Sequence, residues 1–218
     1  MFHYILFDFD GTLYDTVEGI SKSAQYALEK LGITAKLDEL RCFAGPPLVD
    51  KFMEMFGFSY EKAFEARGLF QERYIPIGVY ESRPFPGMTD FLTALKDEGL
   101  VLAVATSKPL PLCEELLERS GMRGFFSVVR GSGMAGNNNT KHEIVGRVIE
   151  ALGAEKEDCV LIGDTKYDVA GAHRAGIPCI GVRYGYAAPG ELEEAGADAI
   201  AEDLAELQKM LTCGEKRI

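Results

Sequence analysis

From residue 88 onward the chain alternates short apolar runs with helical stretches, and this rhythm is what most constrains its fold. A helical stretch over 89–97 leads to the apolar run 100–105, and one over 112–119 leads to 125–129. Ile144, Val145, Val148, Ile149 and Leu152 share one helical face ahead of the run 159–162, and a stretch over 169–175 precedes 178–182. Apolar runs of strand length alternating with helices predict βαβ units and a parallel sheet. Right-handed crossovers then give a doubly wound α/β fold with helices on both faces. The run 3–9 supplies a further strand of the same sheet.

Between that first strand and the alternating region the pattern is different. Val17, Ile20, Ala24, Ala27, Leu28 and Leu31 form one helical stripe. Leu48, Phe52, Met55 and Phe56 predict a second helix, and Ala63, Phe64, Phe70 and Tyr74 predict more. Residues 16–80 therefore read as a helical insertion, closed by Arg83-Pro84-Phe85-Pro86-Gly87. The expected division is a core domain of residues 1–15 and 81–218 and a helical domain of residues 16–80.

Composition narrows the classes. With 47% hydrophobic residues the chain can bury a core. No apolar run approaches the ~20 residues that span a bilayer. The N-terminus has no basic region and its apolar run is broken by two aspartates, so the expectation is a cytoplasmic protein without a signal peptide. The formal charge of -11 argues against nucleic acid as a partner, but not against a small anionic substrate beside a bound metal. The five scattered cysteines show no C-x-x-C pair and read as reduced, mostly buried thiols. Nothing in the sequence fixes the oligomeric state.

Ligands of an open α/β sheet collect beyond the carboxyl ends of its strands. There the first strand ends in Asp8-Phe9-Asp10-Gly11-Thr12. Two aspartates in such a place are expensive unless something binds them, and Mg2+, which prefers oxygen ligands, would neutralise both. Gly11 allows a sharp turn that can bring amides to an anion. A later strand ends in Gly163-Asp164-Thr165-Lys166-Tyr167-Asp168; Asp164 and Asp168 would share a face if both lay at a helix start. Thr106 and Ser107 precede Lys108-Pro109, a helix start by proline position, and form either an anion site or a plain cap. Thr140 and Glu143 have capping-box spacing, which puts Lys141 in a first helical turn. A cation there opposes the helix dipole and is either solvated or held by an anion. Gly131-Ser-Gly-Met-Ala-Gly136 matches a dinucleotide pattern but is followed by three asparagines, and reads as a flexible loop.

Together these residues resemble the haloacid dehalogenase superfamily. Asp8-Phe9-Asp10-Gly11-Thr12 is similar to its first motif, Thr106 to its second, Lys141 to its third, and Gly163-Asp164 with Asp168 to its fourth. The helical insertion resembles that family's cap, and the likeness covers essentially the whole chain. Arg41-Cys-Phe-Ala-Gly45-Pro46-Pro47-Leu48 and Ala105-Thr-Ser-Lys-Pro109 resemble the phosphoglycolate phosphatase and 5′-nucleotidase-like branch. Lys141 stands in Asn-Thr-Lys-His rather than Lys-Pro-x-Pro, which tilts the likeness towards the nucleotidases.

The resemblance implies a Mg2+-dependent phosphatase acting on a small phosphorylated metabolite. Asp8 would be the nucleophile and Asp10 the general acid and base. Mg2+ would be bound by Asp8, the Asp10 backbone carbonyl and Asp164, with Asp168 supporting. Phosphate would be held by Gly11, Thr106, Ser107 and Lys141, and Arg41, Gly45, Pro46 and Pro47 of the cap would contribute to specificity. A phosphomutase of the β-phosphoglucomutase type and a catalytically silent phosphate-binding protein remain the alternatives.

Overall fold

The computed structural model describes residues 2–134 and 140–212. In chain order, β1 (Tyr4–Phe7) is followed by β2 (Tyr14–Asp15), then by α1 (Val17–Lys30), α2 (Leu48–Phe56) and α3 (Tyr60–Tyr74). After β3 (Arg83–Pro84) come α4 (Met88–Asp97), β4 (Val101–Pro109), α5 (Leu110–Arg119) and β5 (Phe126–Ser132). The remainder is α6 (Lys141–Leu152), β6 (Cys159–Gly163), α7 (Lys166–Ala175), β7 (Cys179–Val182), α8 (Glu191–Glu194), β8 (Ala199–Ala201) and α9 (Leu204–Thr212). The chain divides into two compact units: one takes in the residues through Tyr14 together with Pro84 onward, the other is Asp15–Arg83.

The first unit holds a six-stranded sheet in the order β5-β4-β1-β6-β7-β8, with every pairing parallel. Its α/β class is the one the alternating pattern predicts. β1 is short and almost wholly apolar, as a strand covered on both faces must be. Ile5, Leu6 and Phe7 are buried. Leu6 packs with Ala103, Leu161 and Cys179 against Val145 and Val148 of α6 and Val169 and Ala172 of α7. Phe7 meets Phe91 of α4 and Phe126 of β5 edge-on.

The register aligns Phe7 with Val104 on one side and Ile162 on the other. Pairing with β1 therefore ends at one level on both sides, at Val104 and Ile162, with β1 between its two neighbours. Among the described residues no helix is long and apolar enough to cross a membrane.

Several expectations change in detail. β4 does not stop at Ala105 but runs to Pro109, and α5 begins at Leu110. Gly131 and Ser132 belong to β5 rather than to a loop, while residues 135–139 lie outside the described ones. β8 and α9 add to the expected elements; Leu207 and Leu211, one helical turn apart, bury one face of α9.

The helical unit is held by small residues and rings. Ala24, Ala27 and Leu28 of α1 are buried, as are Ala63, Ala66 and Phe70 of α3. Phe43, Phe52, Phe56 and Phe58 form a cluster of rings, with centroids 4.7 Å apart for Phe43–Phe52 and 5.7 Å for Phe56–Phe58. Arg73 donates to both carboxylate oxygens of Glu81, at 2.8 and 3.0 Å, a two-point ion pair. Phe64 departs from the expected buried stripe: it is exposed and stacks on Tyr60.

Candidate active site

Three carboxylates meet at the carboxyl end of β1 and β6. Oxygen atoms of Asp8, Asp164 and Asp168 lie within 4.8 Å of one another. Asp8 follows β1 directly, and its backbone N–H continues the ladder by donating to Ile162 O at 2.9 Å. Asp164 follows β6 and is fully buried. Its Oδ1 accepts from the Thr12 hydroxyl at 3.0 Å and its Oδ2 from the Tyr186 N–H at 2.8 Å.

Asp164 and Asp168 do not share a helical turn. Thr165 is the cap of α7, and Asp164 stands before it. Asp168 is three residues into the helix and folds back, its Oδ2 accepting from the N–H of Asp164 (3.2 Å) and of Thr165 (3.0 Å). A capping box thus aims the second acid at the site.

Lys141 lies at the first position of α6, where the Glu143 carboxylate accepts from the Thr140 N–H as the capping-box spacing predicts. It is held by anions, not solvated: its Nζ is 2.7 Å from Asp8 Oδ1 and 2.7 Å from Asp168 Oδ1. The backbone of α7 makes room for it at Gly171, where a Cβ would collide with the Lys141 stem. Burial alone would lower the Lys141 pKa, but Asp168 and Asp8 more than offset this and hold it above its ordinary value.

The Asp8 carboxyl is pushed up to about 6, chiefly by burial, with Lys141 pulling the other way. Asp164 is raised well above the carboxylate range, first by burial and then by the charges of Asp168 and Asp8. Asp8 Oδ1 is buried and accepts no directed hydrogen bond; its contact with Lys141 is ionic.

Asp10 stands apart from this cluster. Its Oδ1 accepts from Lys108 Nζ at 2.9 Å, so its carboxylate is not one of the three converging acids. The three converging carboxyl groups share a single ammonium group, Lys141, in a largely buried place. A largely buried, crowded set of carboxylates with more acidic than basic groups fits a hard divalent cation such as Mg2+. Asp8, Asp164 and Asp168 together offer the carboxylate oxygens that could hold it, and Asp168 in addition fixes Lys141 and the α7 cap.

Gly11 and Thr106 differ from expectation. The Gly11 N–H donates to Tyr14 O at 2.8 Å, inside the turn, and so is not offered to a phosphate. What the position requires is the absence of a side chain: φ is +81° and a Cβ would overlap the Asp164 carboxyl group. Gly11→Ala is therefore expected to destabilise the protein by about 1–3 kcal/mol through backbone strain, and to weaken Mg2+ binding by displacing Asp164. Thermal melts with and without Mg2+ check both.

Thr106 is not at a helix N-terminus, because β4 continues past it; its buried hydroxyl accepts from the Lys108 N–H at 3.1 Å and keeps its own proton to donate. Ser107 is exposed.

Arg41, Gly45, Pro46 and Pro47 belong to the helical unit. Arg41 is exposed in a 3₁₀ turn (Leu37–Phe43), Gly45 has φ +104°, and Pro47 caps α2. Of the cysteines, Cys113, Cys159 and Cys179 are buried free thiols, Cys42 is exposed, and Cys213 lies outside the described residues.

Residues 5–182 match the family model of the haloacid dehalogenase-like hydrolases. The chain belongs to this family. The hydrolase is 40% identical over 208 residues to a 5′-nucleotidase of Pseudomonas aeruginosa, covering 95% of this chain and 94% of that protein. It is 33% identical over 213 residues to a phosphoglycolate phosphatase of Cupriavidus necator, covering 95% and 92%. A crystal structure described as a predicted phosphatase from Clostridium acetobutylicum superimposes with a TM-score of 0.91 at 38% identity, covering 97% of this chain and 98% of that one. The hydrolase is thus a phosphatase-type enzyme of this family.

Three parts of the site escaped the sequence reading. Lys108 was an unassigned member of Thr106-Ser107-Lys108-Pro109, yet its side chain is 1% exposed and pairs with Asp10. Thr12 reads as the end of a motif rather than as a donor to Asp164. Gly185 lies where a Cβ would strike both Asp164 and Gly11 O. A glycine between two tyrosines just past a strand is the signal of such a close approach.

Proposed function

We propose that this hydrolase is a Mg2+-dependent phosphatase that cleaves small phosphomonoesters through an aspartyl-phosphate on Asp8. The observation that carries the reading is the Asp8 carboxylate: at the end of the central strand, 14% exposed, with Lys141 and Asp164 beside it. Bound Mg2+, held by Asp8, the Asp10 backbone carbonyl and Asp164, would offset negative charge on the transferring phosphoryl group.

In the first step an Asp8 oxygen forms a bond to phosphorus, the bond from phosphorus to the ester oxygen breaks, and Asp10 gives its proton to the departing alcohol. In the second step Asp10 takes a proton from water, the water oxygen attacks phosphorus, and the Asp8–phosphorus bond breaks. Phosphate leaves with Asp8 ionised and Asp10 protonated again. Lys141, the Thr106 hydroxyl and the Ser107 amide hold phosphoryl oxygens. Asp168 fixes Lys141 rather than acting on substrate.

Nucleoside 5′-monophosphates are the first substrates to test, given the 40% identity to a protein named 5′-nucleotidase. Substrate choice is assigned to Arg41, Gly45, Pro46 and Pro47, and the enzyme to the cytoplasm. The test is a panel of nucleoside 5′-monophosphates, phosphoglycolate and sugar phosphates, ranked by kcat/KM for the native enzyme and for Pro46→Ala/Pro47→Ala. A nucleotide is expected at the head of the panel, and the double variant is expected to reorder it. An unchanged order would remove the specificity role, and phosphoglycolate in first place would overturn the nucleotide assignment.

A further inference from the structure

Lys108 has no part in the reading above, yet few groups in the chain are so deeply placed for their charge. Its side chain is 1% exposed. The residue before it is exposed, so the alternation of β4 turns Lys108 inward. Its N–H is fixed by the Thr106 hydroxyl, and its Nζ reaches Asp10 Oδ1 at 2.9 Å and stands 5.5 Å from the centre of the Phe9 ring. The rotamer freedom of the lysine is already spent in the fold. The Asp10 carboxylate, by contrast, is 21% exposed, beyond the end of β1.

We propose that Lys108 is a positioning residue for Asp10: it holds one carboxylate oxygen and thereby directs the other towards the ester oxygen of the substrate. This rests on the phosphatase reading and extends it. A general acid works only when its proton lies on the path to the leaving atom, and a carboxylate on a turn has two torsions to lose. The pair occupies Oδ1 and leaves Oδ2 to face the ester oxygen. Lys108 itself gives up no proton and touches no substrate atom.

Leaving groups provide the test. An alcohol from a nucleoside 5′-monophosphate departs poorly without a proton, whereas p-nitrophenol departs readily as its anion. The kcat/KM, which reports steps through ester cleavage, is measured for both substrates in the native enzyme, Asp10→Asn, Lys108→Met, Lys108→Arg and the double variant Asp10→Asn/Lys108→Met. Lys108→Met is expected to lose about 30-fold or more on the nucleotide and about 5-fold or less on p-nitrophenyl phosphate, within the range of general-acid contributions. The double variant is expected to match Asp10→Asn alone, because two residues acting as a unit are not additive. Lys108→Arg, which keeps the cation but moves it, should show the same ratio to a smaller degree, and carries the test if Lys108→Met does not fold. Equal losses on both substrates, or additive losses in the double variant, would overturn the role of Lys108. If instead the native enzyme releases no phosphate, or Asp10→Asn does not distinguish the two esters, it is the phosphatase reading that fails.

Discussion

Asp8→Asn is expected to lower kcat/KM for every accepted phosphomonoester by about 10³-fold or more, since it removes the attacking oxygen from a set of residues that act together. The amide has nearly the same shape as the carboxylate. It also removes one charge from a crowded buried cluster whose members raise one another's pKa. The melting temperature of the metal-free variant is therefore expected not to fall below that of the native protein. Measuring both separates lost chemistry from lost fold. Activity within about tenfold of native would deny Asp8 its role, because a nucleophile cannot be so dispensable.

Metal removal should have an effect of similar size. Chelation of divalent cations is expected to lower turnover by about 10²-fold or more, the equivalent of several kcal/mol of charge stabilisation, and Mg2+ to restore it. The same ion should act on the fold. Asp8, Asp164 and Asp168 crowd together, and a cation that binds the folded state there adds about 2.7 kcal/mol at a hundred times its dissociation constant. Asp164→Ala should abolish that thermal shift. A shift of native size in this variant would place the ion elsewhere.

Much of this arrangement is legible in the sequence, for a physical reason. Strand ends carry no apolar pattern, so an acidic pair directly after an apolar run, as at Asp8 and Asp10 or at Asp164, is visible against its surroundings. Lys141 is legible because Thr140 and Glu143 fix where its helix begins, and a cation at that place raises the question of its partner.

What stays hidden depends on contacts between segments distant in the chain. Thr12 meets Asp164 across 152 residues, and Lys108 meets Asp10 across 98. No local pattern encodes either. The expected helix start after Ser107 failed for a related reason: Pro109 marks the entry to α5 correctly, but pairing with β5 keeps the backbone extended up to it. Asp168 is expected from the sequence to support the metal site from a helix face shared with Asp164; its bond from the Thr165 N–H makes it part of the α7 cap, from which it holds Lys141.

The most direct test of the central claim uses Asp10→Asn with p-nitrophenyl phosphate and Mg2+. This variant can still form a phosphoryl–Asp8 bond with a good leaving group but lacks the base that activates water. A burst of about one p-nitrophenol per protein chain is expected, as when a covalent intermediate accumulates, with a phosphoryl group mapped by peptide mass to Asp8. Phosphorylation at any other residue, or steady release with no burst and no modified peptide, would contradict that claim.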